Sequence, residues 1–430
     1  MLAVEPKEKL YDRPPFPEMV SELVAQFMDQ WAACPACLPN LGPEYSLRQQ
    51  MVNESQLNYC LNRVAADLKR RGPSRPGQQE MRRQFLPLAA GIAKATLGLE
   101  DQHIAALAAY GFVEAIQEFV RRARRFDAAI STADLYQAGR NAWSMMFIQL
   151  MLGLPMEVTP SIIAYSLLYP YTDNYLDDPA ITLGVKISFS ARFRQRLEGI
   201  KASPINSHEQ RIYDLLGMIE GQYPRALYPV VYDSLKAIHR AQTNSLSLQH
   251  PVLSPSVQDV LGLVLEKGGT SVLADGYLVA GTLTPLQREL MFYYGAFTQL
   301  MDDLEDVDGD LRSGILTLFS KAARHEPLDA LTNQSLHFGA GLLDLIHDFA
   351  VPALEPLEEI MQRSITPIMI DSVGRAGHLF SKPYLARLEK HFPLRFTNLN
   401  QQRKKAMRQI SADRLLELVL TSEEDGSLDH

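Results

Sequence analysis

Six acids crowd the nine residues from Asp302 to Asp310, and no base follows until Arg312. At about 100° per residue, Asp302, Asp306 and Asp310 share one face of a helix, with Asp303 on its shoulder. Phe292, Gly295 and Gln299 extend that face towards the helix N-terminus. Phe297, Leu300, Leu304, Val307 and Leu311 form the opposite, apolar face. Left alone, the row is costly. Like charges at i,i+4 repel by roughly 0.2–0.5 kcal/mol per pair, and acids at a helix C-terminus meet the negative end of its dipole. A cation relieves both costs. All-oxygen ligands select a hard ion such as magnesium, which keeps several waters and also binds substrate phosphate. The alternative is a solvated acidic face, but the interspersed lysines that would mark one are missing.

The spacing predicts one long helix under these acids. Thr284-Pro285 supplies an N-cap and a proline at the first helical position, and Ser313-Gly314 supplies a stop. The same start recurs at Thr159-Pro160 and leads to Asp173, Asn174, Asp177 and Asp178. Pro170 is expected to kink that helix, and Pro179 to end it at Asp178. Two acid clusters facing each other can hold several magnesium ions between them. A third helix, from Ser131 to about Leu152, carries Arg140 in an apolar run, where a buried guanidinium needs an anionic partner. Glu266-Lys267-Gly268-Gly269-Thr270-Ser271 is expected to break a helix. The break serves either to let Lys267 and Thr270 reach an anion or simply to join two helices.

At 430 residues, with 46% apolar and 21% charged residues, the chain is expected to be an ordinary globular protein. Its net charge of −8 argues against nucleic acid as a partner. The Arg121-Arg122-Ala123-Arg124-Arg125 run therefore reads as a solvated helix end. No run reaches the length of about 18 apolar residues needed to cross a membrane, and the first residues lack a signal-peptide core. A reducing cytoplasm is the default expectation. Three cysteines cannot make a disulfide framework. Cys34-Pro35-Ala36-Cys37 remains open as a redox pair or half a zinc site. Nearly every periodic segment has a 3.6-residue repeat, so the fold is expected to be all-α. Residues 1–78 read as an N-terminal helical extension ending in the linker at 71–77, residues 79–420 as the main helical domain, and residues 421–430 as a frayed tail. A homodimer is compatible with the sequence.

Gln299-x-x-Asp302-Asp303-x-x-Asp306-Val307-x-Gly309-Asp310 resembles the second aspartate-rich motif of trans-prenyltransferases. Lys267-Gly268-Gly269-Thr270 lies where those enzymes carry a Lys-Thr diphosphate-binding segment. Asp173 to Asp178 occupies the first aspartate-rich position, 124 residues before Asp302. By motif the resemblance, to the class I isoprenoid synthase superfamily, covers roughly residues 130–320. It implies a class I terpenoid-synthase-like helical bundle with an additional N-terminal helical segment. It also implies magnesium held by Asp173, Asp177, Asp178, Asp302, Asp303 and Asp306. Diphosphate would be bound with Arg140, Lys267, Thr270 and Gln299, Asn174 and Asp310 would support the metal ligands, and Phe292, Tyr165 and Tyr169 would line an apolar cavity. The substrate implied is a prenyl diphosphate.

The departures from the pattern narrow the chemistry. The first motif is D-x-x-x-D-D, no Arg-Arg pair follows it, and no Gly-Gly-Lys-x-Arg segment precedes it. Arg140 ahead of the first acids is closer to the layout of squalene and phytoene synthases, and the blend is similar to bacterial large-terpene synthases. Losing the acceptor-diphosphate segment favours ionising one prenyl diphosphate, then cyclising or eliminating. A prenyltransferase joining two prenyl diphosphates and a non-catalytic subunit that keeps the fold are the alternatives.

Overall fold

The computed structural model describes residues 14–70, 76–178, 180–248, 255–348, 355–411 and 413. The residues expected to form the Arg71 linker and the acidic tail, and the first thirteen, lie largely or wholly outside these ranges. Among the described residues the protein is all-α, with no strand. Its helices are Phe16–Ala33 (α1), Leu47–Arg70 (α2), Pro76–Leu97 (α3), Asp101–Ala109 (α4), Phe112–Phe126 (α5), Thr132–Met151 (α6), Pro160–Asp177 (α7), Leu183–Leu197 (α8) and Ser207–Gln222 (α9). They continue with Pro229–Ser245 (α10), Val257–Ala280 (α11), Pro285–Glu305 (α12), Val307–Ser313 (α13), Leu318–Ala322 (α14), Asp329–Asp348 (α15), Glu355–Arg375 (α16), Lys382–Glu389 (α17) and Phe396–Gln409 (α18). Among the described residues none is long and apolar enough to cross a membrane.

The two Thr-Pro starts form as expected. Thr159 Oγ1 accepts from the Ile162 amide at 3.3 Å. Thr284 Oγ1 accepts from Gln287 N at 3.3 Å, and the Gln287 side chain reaches back to Thr284 N at 2.9 Å, closing a capping box.

Two expectations about helix breaks fail in opposite directions. The acid helix is not continuous to residue 313. It breaks at Asp306 (φ −93°, ψ 3°), which ends α12 and starts α13. Conversely, α11 runs unbroken through Gly268-Gly269. Those glycines serve packing instead. A Cβ on Gly268 would lie 2.3 Å from the Gly295 carbonyl oxygen, and one on Gly295 would lie 2.1 Å from that of Gly268. A Cβ on Gly269 would meet the Phe292 ring at 2.4 Å. So α11 and α12 cross backbone to backbone, and this pair is the axis on which α1, α6, α7, α10 and α15 pack.

The N-terminal helix belongs to that core. Phe27 stacks on Phe292 (ring centroids 5.8 Å apart) and packs against Tyr293 at 4.6 Å and Phe338 at 6.3 Å. Tyr293 donates to the Phe338 carbonyl at 2.6 Å and accepts from Gln30 at 3.0 Å. Burying one such ring contributes roughly 1.5–3 kcal/mol, enough to make α1 structural rather than an appendage. The α2–α3 pair packs outside, against α16 and α18, and α3 runs through residue 78. The basic run closes α5, with Arg122 and Arg124 donating to the carbonyls of Val158 and Ile130.

Candidate active site

The acid layer sits at the C-terminal end of α12 and across the break into α13. The apolar face is as expected: Phe297, Leu300, Leu304 and Val307 are all fully buried. On the other side, Asp303 is also buried. Its Oδ1 accepts from Gln299 Nε2 at 2.9 Å, and its Oδ2 has no partner among the described residues. Burial pushes Asp303 up to about 7, against the opposing pull of Gln299 and Lys267, with Asp310 and Asp302 adding to the rise.

Asp302 combines two properties. Its carboxyl is pushed up to about 6, chiefly by desolvation, yet half of its side-chain surface is open. Arg140 Nη2 reaches it at 3.4 Å. Asp306, at the helix break, is exposed by surface area, and its carboxyl is raised by partial desolvation from the crowded protein around it and then by Glu305, against Arg140 and Arg375. Asp310 rises to about 6 through burial and Asp306, opposed by Thr317 and Lys267. Asp310 thus lies in the field of Asp303, and Lys267 in the field of both. Glu305 and Asp308 face elsewhere, paired with Arg375 at 2.7 Å and His378 at 3.2 Å.

The α7 acids are only partly brought to this layer. Asp173 accepts from Gln242 Nε2, on α10, at 3.1 Å. Tyr169 connects the two clusters: after burial, Asp173 and Asp302 both raise its phenol, so it lies in the field of both. Asp178 is used locally, its Oδ1 accepting from Ala180 N at 2.8 Å in the turn after α7. Asn174 is turned to α6, where it donates to Asp134 at 2.7 Å and Gln137 at 3.2 Å. The side chain of Asp177 lies outside the described residues.

Three further expectations are corrected. Thr270 is fully buried, and its hydroxyl donates to the Glu266 carbonyl at 2.6 Å, one turn back in α11, so it is not presented to an anion. Gln299 is committed to Asp303. Phe292 is wholly inside the aromatic core beneath Gly269 and lines no recess. Tyr169 is 40% exposed and Tyr165 part-buried, which suits them as wall residues. Cys34, Cys37 and Cys60 are free thiols.

A second polar layer, unmarked in the motifs, lies deeper. Tyr165, Asp275 and Tyr294 each lie eight residues along their helix from Asp173, Lys267 and Asp302 respectively, a rise of about 12 Å. Asp275 is buried, with Asn141 Nδ2 at 3.4 Å from its Oδ1 and the same Nδ2 at 3.3 Å from Ser166 Oγ. Burial pushes its carboxyl well above the usual carboxylate range, and its field raises Tyr165 and Tyr294. The available signal was a single acid inside the apolar run from Val272 to Ala280.

Among the described residues, no three His, Cys, Asp or Glu side chains are gathered to hold one metal ion. That argues against a cage made wholly of protein. Magnesium does not need one, since it is usually bound through one or two carboxylates, waters and substrate phosphate. The unpartnered Asp303 oxygen beside the open Asp302 carboxylate, with both carboxyls raised, is a donor set that fits such an ion. No family model matches the sequence, and no curated protein matches it.

Proposed function

We propose that the protein is a magnesium-dependent class I isoprenoid synthase that ionises one prenyl diphosphate and then cyclises or eliminates the resulting cation. The observation that carries this reading is the acid layer itself: buried Asp303, with one oxygen unpartnered among the described residues, beside half-open Asp302, which Arg140 reaches at 3.4 Å, with Lys267 in the field of both. Asp302 and Asp303 are the carboxylates that would hold an ion together with water and substrate phosphate, and Asp306, Asp310 and Asp173 would act through bound waters or on further ions. When bound, magnesium supplies positive charge against the departing diphosphate. Arg140 and Lys267 add fixed positive charge on the same side, which favours departure. Tyr165 and Tyr169 offer aromatic faces to an allylic cation. Two bases of α8 are already paired, Arg192 with Glu209 and Arg196 with Glu220.

The reading is tested by incubating the protein with geranyl, farnesyl and geranylgeranyl diphosphates and magnesium, and measuring released diphosphate and hydrocarbon. Release from at least one of them is expected, and none from any, or from longer chains, would refute ionisation. The same assay has an expected pH dependence. In the metal-free fold Asp302 and Asp303 titrate at about 6 and about 7, above the unfolded value of about 3.9. For these raised acids the protonated form's advantage is fully present below about pH 4 and is lost progressively from there up to pH 6 to 7, where the folded carboxyls ionise. A cation must displace the same protons. The magnesium needed for half-maximal rate should therefore rise on the order of tenfold between pH 8 and pH 6. A flat requirement would contradict the assignment of these two acids.

A further inference from the structure

Helix α2 packs by one side on α3 and α18. Leu57, Val64 and Leu68 are buried on that side. The other side of α2 is open and apolar. Leu47, Met51, Val52 and Tyr59 recur there at helical spacing, and each is more than half exposed. Helix α18 lies alongside and runs the same way. Arg395, just before it, pairs with Glu54 at 2.6 Å, and Ile410, just past it, packs on the cluster of Cys60, Val64 and Leu68. On α18, Met407 is 83% exposed. Single exposed apolar side chains are ordinary, but a row of them on one helix, with another on its neighbour, marks an interaction surface.

The charge on this helix pair is one-sided. Together α2 and α18 carry eight Lys and Arg against two acids, in a chain of net charge −8. Both acids are buried and already paired, Glu54 with Arg395 and Asp67 with Arg63 at 3.2 Å. Neither helix therefore exposes an acid. Arg48, Lys69, Lys404 and Arg408 are exposed and have no ion-pair partner among the described residues. Lys404, Lys405 and Arg408 line one recess of the surface.

We propose that the outer face of α2 and α18 docks on an anionic lipid surface, with Lys404, Lys405 and Arg408 on the headgroups and Met51, Val52 and Tyr59 at the edge of the acyl layer. Apolar side chains set among bases, with no exposed acid, match a surface that is negative outside and hydrocarbon just beneath. A second copy of this chain matches it poorly, because a two-fold contact through this face would set base against base. A nucleic acid would pair the bases but leave Leu47, Met51 and Val52 without an apolar partner. The proposal does not rest on the chemistry of the acid layer.

The test is sedimentation of the full chain with vesicles of phosphatidylcholine alone, or of phosphatidylcholine and phosphatidylglycerol in equal parts, at low salt. Binding is expected to the mixed vesicles and at least tenfold less to phosphatidylcholine. It should be lost in about 1 M salt, where charges are screened within about 3 Å. A base near such a surface is worth roughly fivefold in binding, so the triple variant Lys404→Glu, Lys405→Glu, Arg408→Glu should weaken it at least tenfold. Met51→Ser with Val52→Ser should weaken it about fivefold or more. All five side chains lie on the outer surface of their helices, so the variants should keep the wild-type circular dichroism. Lys201→Glu, an exposed base between α8 and α9, should leave binding within about twofold. No sedimentation with mixed vesicles, equal binding to phosphatidylcholine, or unchanged binding in the triple variant overturns the proposal. So does a vesicle-free dimer that the same variants dissociate, tighter binding to mixed-sequence RNA than to the vesicles, or vesicle binding that appears only when the acidic residues 421–430 are removed.

Discussion

Asp302→Ala and Asp303→Ala are each expected to lower magnesium-dependent diphosphate release on the order of 10³-fold while leaving the helical fold intact. The rate loss follows from what the acids do. Removing one preorganised electrostatic contact from a catalytic site costs roughly 10²–10³ in rate, and in the function proposed above the contact would be to the ion that neutralises the leaving group. The fold should survive because these carboxyls do not stabilise it in their ionised form. Asp303 is raised to about 7 by burial and has an oxygen without a partner among the described residues. Alanine removes that penalty, so the metal-free Asp303→Ala protein should unfold at a temperature no lower than wild type at pH 8. Asp308→Ala is the control. Asp308 pairs with His378 at 3.2 Å, and the rate should stay within about twofold, since a paired surface acid contributes little. Circular dichroism and a diphosphate-release assay on the same samples decide it. Retained activity in Asp302→Ala or Asp303→Ala would refute the metal role.

Gly295→Ala is expected to destabilise the protein by about 3 kcal/mol or more, although alanine is the better helix former. The new Cβ would sit 2.1 Å from the Gly268 carbonyl oxygen and 3.0 Å from Val272 Cβ. Neither neighbour is the mobile end of a long side chain, so α11 and α12 must separate. Overpacking of a tight core costs typically 1–3 kcal/mol, and a backbone obstacle belongs at the upper end of that range or beyond. The opposite sign is expected at Gly309, which is helical with nothing within 4 Å of an added Cβ. Gly309→Ala should stabilise by about 0.4–1 kcal/mol. Urea denaturation midpoints check both, and a neutral Gly295→Ala would show that the two helices do not depend on this close approach.

The sequence shows its helix starts and its acid spacing well because both are local. A threonine cap, a proline at the first position and a 3.6-residue repeat act within one turn, and α7 and α12 begin where they predict. What spans two helices was less legible. Gly268-Gly269 looks like a break in one chain, and only the presence of Gly295 on the facing helix reveals it as a crossing point. Thr270 looks like an anion donor until its hydroxyl finds the Glu266 carbonyl one turn back. Phe292 shares a face with the acids in projection, yet α1 covers it through Phe27. Of the first acid group, Asp173 couples to the second through Tyr169, while Asn174 turns to α6 and Asp178 closes a turn. Asp275 was hidden because a lone acid carries no motif. Its meaning comes from Asn141, Tyr165 and Tyr294 on three other helices.

The central claim is that the acid layer is a magnesium–diphosphate site, and calorimetric titration with inorganic diphosphate addresses it without reference to any carbon chain. Diphosphate titrated into the full chain at pH 8 should bind saturably with magnesium present. The binding should vanish when magnesium is omitted, and should weaken at least tenfold in Asp302→Ala. Diphosphate binding of equal strength with and without magnesium, or unchanged in Asp302→Ala, would contradict it.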